Sequence, residues 1–449
     1  MSFRGSIKQV REKLQNWVLP SATKRPVERG SYRMTEQQQR RAVVVAPASP
    51  GSVGDEAMMS ALTEQLRLRG VEQITVATWR EEDRWEMAGG PVAHEVLPLG
   101  NLAGSPKFNQ ALRSAASLYL IGADVIDGIY GAEHSLHMLA VAQYGAQCGL
   151  RSTIVGCSFS DSPQPPVVEY LKQLDSRVAV LARDCYSQRR LERAMQRKIP
   201  LVADIAFLLK PDQESGAALQ VLEWIARQRQ AVRGPVIGCN LNAQPLSKGG
   251  GEPAALLAAY VETLRHWWKT FSGELSIVIV PHDHRREHRE LEICETFRQM
   301  LPAEIQTRVL LVRDPLSAAG VKAIMGHCDM VLTGRMHLAV AALGSGKPAV
   351  CLGYNSKFEG LLAAFGLEEL VLDWRQAIMP GQLAVWSGNI VARRAELSAQ
   401  VAAKLPGVME LSRANLYLGR APGFEKPESS DGPGAQGHDA AGNNRQLVS

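Results

Sequence analysis

Short β-branched apolar runs alternate with stretches of helical period along most of this 449-residue chain, and that alternation restricts the fold more than any other feature. Runs at 42–47, 73–77, 117–121, 152–157, 177–181 and 201–203 suit strands buried on both faces. Helical stretches lie among them at 55–69, 133–149 and 184–197. This repetition predicts a mainly parallel sheet covered by helices on both faces. A polar, helical connector interrupts it at 210–234, and runs at 235–241, 275–280, 308–312, 329–332 and 349–352 then restart it. The chain is too long for one ordinary core, so two α/β domains with a cleft between them are expected. The divisions read as an arm and linker at 1–41, a first domain at 42–209, the connector at 210–234 and a second domain at 235–381. Helices at 382–419 are expected to pack back on the first domain, and the Gly/Pro/Ser-rich tail at 420–449 to be disordered.

Charge is spread unevenly. Residues 1–41 hold ten Lys/Arg against three Asp/Glu, a net +7; the whole chain is +5, so everything beyond the arm is −2. A weakly acidic body lacks the basic footprint of nucleic-acid binding. Within the arm, Ile7, Val10, Leu14 and Trp17 fall at helical spacing with Arg4, Lys8, Arg11 and Lys13 between them. Residues 3–19 read either as a basic amphipathic helix resting on an anionic membrane or as a helix capping the body. No apolar run reaches the ~18 residues that a membrane span needs, and charges interrupt the N-terminal region where a signal peptide keeps its apolar core. The seven cysteines form no C-x-x-C pair, and several lie in apolar runs, which suits a reducing compartment. The expectation is a cytoplasmic protein, with a peripheral contact on the inner face of the membrane only under the first of these two readings of residues 3–19.

The residues able to carry chemistry gather at predicted strand ends. Gly51-Ser52-Val53-Gly54-Asp55-Glu56 joins the first strand to the first helix. Gly51 and Gly54 let backbone N–H groups approach an anion or a sugar, and Asp55 or Glu56 can accept a proton or bind hydroxyls. The segment is neither a dinucleotide fingerprint nor a Walker A loop, and its plain alternative is a tight turn with Asp55 near the cap. Asp124 and Asp127 follow the run at 117–121, as polyol-binding carboxylates or as turn residues. Arg183 offers a planar fork for carboxylate or phosphate beside Asp184, a helix N-cap. Asp204 is a site acid or a structural acceptor.

After Pro281 come His282, Asp283, His284 and His288. With no H-E-x-x-H pattern and no cysteine partner, they read as substrate contact by His282 or Asp283 and surface histidines beyond, not as a metal centre. The strongest cluster is Gly334-Arg335-Met336-His337, at a Gly-turned helix start after a buried run, followed by Gly346-Lys347-Pro348, Tyr354 and Lys357. Free N–H groups and the helix dipole favour an anion at such a point, and histidine titrates near neutrality.

The GSVGDEA segment at 51–57, the Leu181-Ala182-Arg183-Asp184 strand end with Ser187, the Ala203-Asp204 step and above all the Gly-Arg-Met-His segment with its flanks resemble the polysaccharide pyruvyl transferase family over about residues 42–372. The resemblance implies an α/β chain of two Rossmann-like domains with a central cleft, as in GT-B glycosyltransferases. It implies transfer of pyruvate from phosphoenolpyruvate, the co-substrate, onto a sugar of a bacterial exopolysaccharide or cell-surface glycan as a pyruvate ketal, without a further cofactor. Arg335 and His337 would be donor-site residues and Arg183 another, with Lys357 assisting. Tyr354, His282, Gly51, Gly54, Asp124 and Asp204 complete the expected binding set. His337 is expected to protonate the methylene carbon or assist phosphate departure, and Asp55 or Glu56 to take the hydroxyl proton. The family often has consecutive glycines after the third strand, where this chain has Ala123-Asp124.

One rival is a nucleotide-sugar glycosyltransferase of the same architecture, which usually grips ribose with an acid near the second-domain site. An Arg/His/Lys-rich segment favours a small dianion instead. The other is an inactive scaffold in polysaccharide assembly, against which the intact Arg335, His337 and Lys357 argue. A lipid-linked saccharide acceptor would suit an arm on the membrane. Deleting residues 1–33 is then expected to abolish binding to anionic vesicles in a flotation assay, and unchanged binding would sink the membrane reading.

Overall fold

The computed structural model describes residues 34–87, 90–98, 102–242, 253–285, 289–354 and 356–417. The expected amphipathic helix at 3–19 and the tail at 420–449 lie outside the described residues. Two six-stranded parallel sheets form the frame. The first comprises β1 (Arg41–Val45), β2 (Gln73–Thr78), β3 (Ala93–Val96), β4 (Ser117–Ala123), β5 (Arg151–Cys157) and β6 (Val178–Ala182), in the order β3-β2-β1-β4-β5-β6. The second comprises β7 (Val236–Cys239), β8 (Ser276–Ile279), β9 (Val309–Leu311), β10 (Met330–Thr333), β11 (Ala349–Gly353) and β12 (Val371–Asp373), in the order β12-β11-β10-β7-β8-β9. Both follow the Rossmann order, which reverses direction between β1 and β4 and between β7 and β10. Strand carboxyl ends splay apart at such reversals and leave a crevice. The two crevices face one another.

Central strands formed where continuous apolar runs predict them, because both faces are covered: β7, β8, β10 and β11 are buried at every residue. The edges differ. β3 (Ala-His-Glu-Val) and β12 are short and half-exposed, so they carry no buried run to read. The run at 201–203 makes only an isolated bridge, Leu201 to Ala182, before Asp204 caps a short 3-10 turn through Ala206 N at 2.9 Å.

The helix Gly216–Ala231 is no free connector. It buries Ala218, Val221 and Ile225 and packs on the helix Ala318–His327 of the second domain. The stretch expected to pack back on the first domain holds two helices, of which only the second does so. Gln382–Ala392 lies on the second-domain helix Pro253–Thr270, and Arg394–Arg413 crosses to the first domain. There Ser412 Oγ donates to the Asp204 carbonyl at 2.7 Å. Asn415 accepts from Gly156 N and donates to the Ala203 carbonyl, each at 2.8 Å.

The domains meet through backbone as well as side chains. Val53 N donates to the His282 carbonyl at 3.2 Å and His284 N to the Gly51 carbonyl at 2.8 Å, so the Gly-rich turn pairs with the loop after β8. Lys322 Nζ reaches the Phe207 carbonyl at 2.8 Å. Gly360, in the helix Lys357–Ala363, lies so close to Asp184 that a Cβ there would sit 2.6 Å from Asp184 Cγ. Asp184 cannot yield, because its oxygens hold Ser187 N and Oγ at 2.7 and 2.6 Å. Helix propensity alone would have Gly360→Ala gain about 1 kcal/mol. The inter-domain clash is expected to reverse that sign and cost ~1–3 kcal/mol, read as a lowered melting temperature.

Candidate active site

Between the two crevices lies a cavity of about 440 Å³. Asp55, Asp124 and Arg183 line it from the first domain, and His282, Arg335, His337, Tyr354 and Lys357 from the second. The stretches that bring them are short strand-to-helix turns. Ser52 caps the helix Val53–Arg67, accepting from Asp55 N at 3.3 Å, and this aims the Asp55 carboxylate at the opening. β4 ends at Ala123, whose φ of +41° is left-handed and turns the chain abruptly into Asp124.

On the second-domain wall, Arg335 starts the helix Met336–Leu343, its N–H held by Thr333 Oγ1 at 2.8 Å. Its guanidinium donates to Glu290 Oε2 from Nε at 3.1 Å and from Nη2 at 2.8 Å, with Asp283 Oδ2 3.4 Å away. Arg285 forks onto Asp283, Nε to Oδ1 at 2.9 Å and Nη2 to Oδ2 at 2.6 Å. Glu290 is buried, and its other oxygen accepts from His282 N at 3.0 Å and from Asn240 Nδ2. On the opposite wall Arg183 donates from Nε to Ser158 Oγ and from Nη1 to Asp204 Oδ2, both at 2.8 Å. Three arginines thus present a cationic surface backed by buried carboxylates that fix their planes.

Asp204 joins the walls. Its Oδ2 takes Arg183 of the first domain and lies 3.5 Å from His337 Nε2 of the second. Burial alone would raise its carboxyl, but His337 and Arg183 hold it far below the usual carboxylate range. Nε2 of His337 is shut from solvent, while the residue lines the cavity. There it rests on Gly54, where a Cβ would sit 2.3 Å from Nδ1 and 2.9 Å from the histidine's own Cβ.

The two carboxylates lining the cavity are pushed in opposite directions. Burial raises Asp55, and Arg285 and His337 pull it back only in part. Burial would also raise Asp124, yet Lys357 and Arg183 bring it down to about 2. Lys357 Nζ donates to Asp124 Oδ2 at 3.3 Å and lies 4.5 Å from the centre of the Tyr354 ring. Burial would lower the Lys357 ammonium, but Tyr354 and Asp124 outweigh it and its pKa rises. Burial, Arg335 and His337 push His282 well down, so its ring is neutral, and among the described residues neither ring nitrogen has a hydrogen-bond partner.

Three expected site residues lie elsewhere. Glu56 is one residue around the helix from Asp55 and faces away; its Oε1 accepts from Ala318 N at 2.9 Å, across the domain boundary. Gly51 does not reach the wall, because its carbonyl is taken by His284 N. Asp204 is 2% exposed and stands behind the wall. Asp127 is a turn residue, accepting from Ile129 N and Ser160 N at 3.0 Å each. His284 is exposed, and His288 lies outside the described residues. Tyr130 and His134, which line the cavity from the loop and helix after β4, carry no signal in the residue pattern, because neither sits at a strand end. Arg285 and Glu290 were hidden in the His-rich segment, whose charges have no period to separate partner from ligand.

Paired Rossmann-type domains around an inter-domain cleft define the GT-B class. Solved structures agree on that fold. A trehalose-phosphate synthase from Burkholderia vietnamiensis superposes with a TM-score of 0.52 at 12% identity, covering 86% of this chain and 99% of that one. A protein described as a UDP-N-acetylglucosamine 2-epimerase from Listeria monocytogenes gives 0.50 at 10% identity, covering 84% and 95%. Within that class the chain belongs to the polysaccharide pyruvyl transferase family, whose pattern it matches over residues 53–356. A stretch of 92 residues is 26% identical to the amylovoran biosynthesis protein AmsJ of Erwinia amylovora. That stretch spans 20% of this chain and 22% of AmsJ. No helix among the described residues is long and apolar enough to cross a membrane.

The Gly54 contact yields a sharp expectation. Gly54→Ala should displace the His337 ring and cut turnover by roughly 10²-fold or more, as small misplacements of reacting groups do. Its melting temperature should fall as well, because the added Cβ also meets the His337 Cβ, so turnover is compared well below the unfolding transition, and a fully active variant would show that the contact does not position His337.

Proposed function

We propose that the protein transfers the pyruvyl unit of phosphoenolpyruvate onto a saccharide and forms a pyruvate ketal, as its family membership suggests. The observation that carries this reading is the cavity wall itself: Arg183, Arg285, Arg335 and Lys357 around a volume suited to a small, highly charged anion. Phosphoenolpyruvate brings a carboxylate and a phosphate, each matched to a guanidinium fork. A nucleotide-sugar donor fits less well. Glu290, placed where an acid could grip a ribose, already has both oxygens committed to Arg335, Asn240 and His282 N.

In the proposed reaction His337 gives a proton to the methylene carbon, and the positive charge that develops at C2 is taken up by an attacking sugar hydroxyl. Asp55 accepts that hydroxyl's proton. Its raised pKa makes it the better base of the two cavity carboxylates, since a carboxyl titrating near pH 2 holds protons too weakly. The C2–oxygen bond to phosphate then breaks, a second hydroxyl closes the ketal, and its proton leaves with the phosphate. Asp204 acts through others: it fixes the Arg183 fork and faces the far nitrogen of His337.

The test is incubation with phosphoenolpyruvate and candidate lipid-linked glycans, following phosphate release and the mass gained by the glycan. His337→Ala is expected to abolish turnover, and Asp55→Asn to reduce it ~10²–10⁴-fold. Arg335→Ala and Arg183→Ala should raise the phosphoenolpyruvate KM, while Glu56→Gln should keep near-parental turnover. A fully active His337→Ala enzyme would refute the acid assignment.

A further inference from the structure

Lys322 is a buried charge away from the catalytic cavity, with no acid to balance it among the described residues. It belongs to the helix Ala318–His327 and is 3% exposed. Its ammonium makes a single hydrogen bond, to the Phe207 carbonyl at 2.8 Å, so two of its three N–H donors find no acceptor among the described residues. Burial draws its pKa down to about 8, and no neighbouring carboxylate pulls it back. A buried cation in that position is costly until an anion completes it. Water can fill the two donors, but water does not balance the charge.

There is room beside it for more than water. A second cavity, of about 450 Å³, is lined by Lys322, Phe207 and Gly344. The Lys322 Nζ donates to Phe207 and would lie 3.2 Å from a Cβ on Gly344, so the ammonium stands in the cavity wall. Lys210 and Arg413 add two more cations to the lining, and no Asp or Glu lines this cavity. Their own partners, Glu64 and Glu410, lie outside it. Leu209 and Met409 supply an apolar patch. Three cations without an acid suit a dianion better than a single carboxylate, and a tetrahedral phosphate offers oxygens to donors from several directions. The apolar patch and the volume leave space for an uncharged body attached to that phosphate.

We propose that this second cavity is a regulatory site for a phosphate monoester, its phosphate seated on Lys322 with Arg413 and Lys210 at the rim. The walls belong to both domains. Phe207 and Lys210 come from the first, and Arg413 from the helix that packs on it, while Lys322 and Gly344 come from the second. A bound anion therefore favours the arrangement in which the domains meet. It also touches two elements that stand behind the catalytic groups. Phe207 lies on the short turn capped by Asp204, and Gly344 ends the helix that His337 begins. None of the residues lining this site lines the catalytic cavity, so the proposal does not rest on the pyruvyl-transfer reading.

Calorimetry on the full chain tests this with inorganic phosphate, glycerol 3-phosphate and succinate as probes. Wild type should bind both phosphates more tightly than succinate, and glycerol 3-phosphate should raise its melting temperature. Lys322→Met, which keeps the bulk of the side chain, should remove one bound phosphate per chain or weaken it roughly tenfold or more. Arg413→Glu, on the exposed rim, should weaken the same phosphate and keeps the test decisive if Lys322→Met fails to fold, while Arg413→Lys should retain most of the affinity. Phosphate binding unchanged in both Lys322→Met and Arg413→Glu, no binding in wild type, or succinate bound as tightly as phosphate overturns the proposal. Dioctanoyl phosphatidic acid separates the sources of the phosphate. Binding roughly tenfold tighter than that of glycerol 3-phosphate, and lost in Lys322→Met, supports the site with a lipid phosphate as its ligand; equal or weaker binding supports it with a soluble ester.

Discussion

Asp204 is the carboxylate on which the geometry of the cleft depends. It is nearly inaccessible, yet it is held ionised because the Arg183 guanidinium and the His337 ring, from different domains, converge on one of its oxygens. Remove that charge and Arg183 loses the partner that sets its plane, while His337 loses the group facing its sealed nitrogen. A buried carboxylate without partners would cost several kcal/mol, so the anion and its two partners stand or fall together. The same logic repeats across the cleft, where Asp283 and Glu290 hold Arg285 and Arg335. The acids are structural in position and electrostatic in effect. They keep a dense group of cations from repelling itself apart before any anion arrives, which is what a preorganised site for a small dianion needs.

The division of labour between Asp55 and Asp124 follows from what surrounds them. Both stand at strand ends of the same sheet and both lose water. Only Asp124 gains an ammonium and a tyrosine hydroxyl on one oxygen, so it becomes a fixed anion, while Asp55 keeps the capacity to take a proton. Identical side chains acquire different chemistry from their neighbours.

Much of this was legible in the residues alone. Buried strands announce themselves through continuous apolar runs, so β1, β4, β5, β10 and β11 fell close to their observed places, and with them the turns bearing Gly54, Asp124, Arg335 and His337. Edge strands did not, because a half-exposed segment such as His94–Glu95 has no such pattern. The misplaced residues share a cause. Glu56 and Asp204 are acids at strand or helix starts, indistinguishable by type and spacing from Asp55; which of them faces the cleft depends on helix rotation and on partners about 262 and 133 positions away, Ala318 and His337. Arg285 and Glu290 were invisible for the same reason: their roles are set by each other's neighbours, not by their own sequence context.

The crossing of the last described helix into the first domain changes how that domain must be assembled. Asn415 ties Gly156 to Ala203 and Ser412 supports the carbonyl of Asp204, so the floor beneath the cleft is completed by residues synthesised some two hundred positions later. A nascent first domain can pair its six strands as soon as it leaves the ribosome, but the segment that steadies its reactive edge is still unmade. Competence therefore waits until Asn415 has been made. A chain cut between Lys357 and Asn415 loses part of the site's foundation while keeping every cavity-lining residue in the sequence.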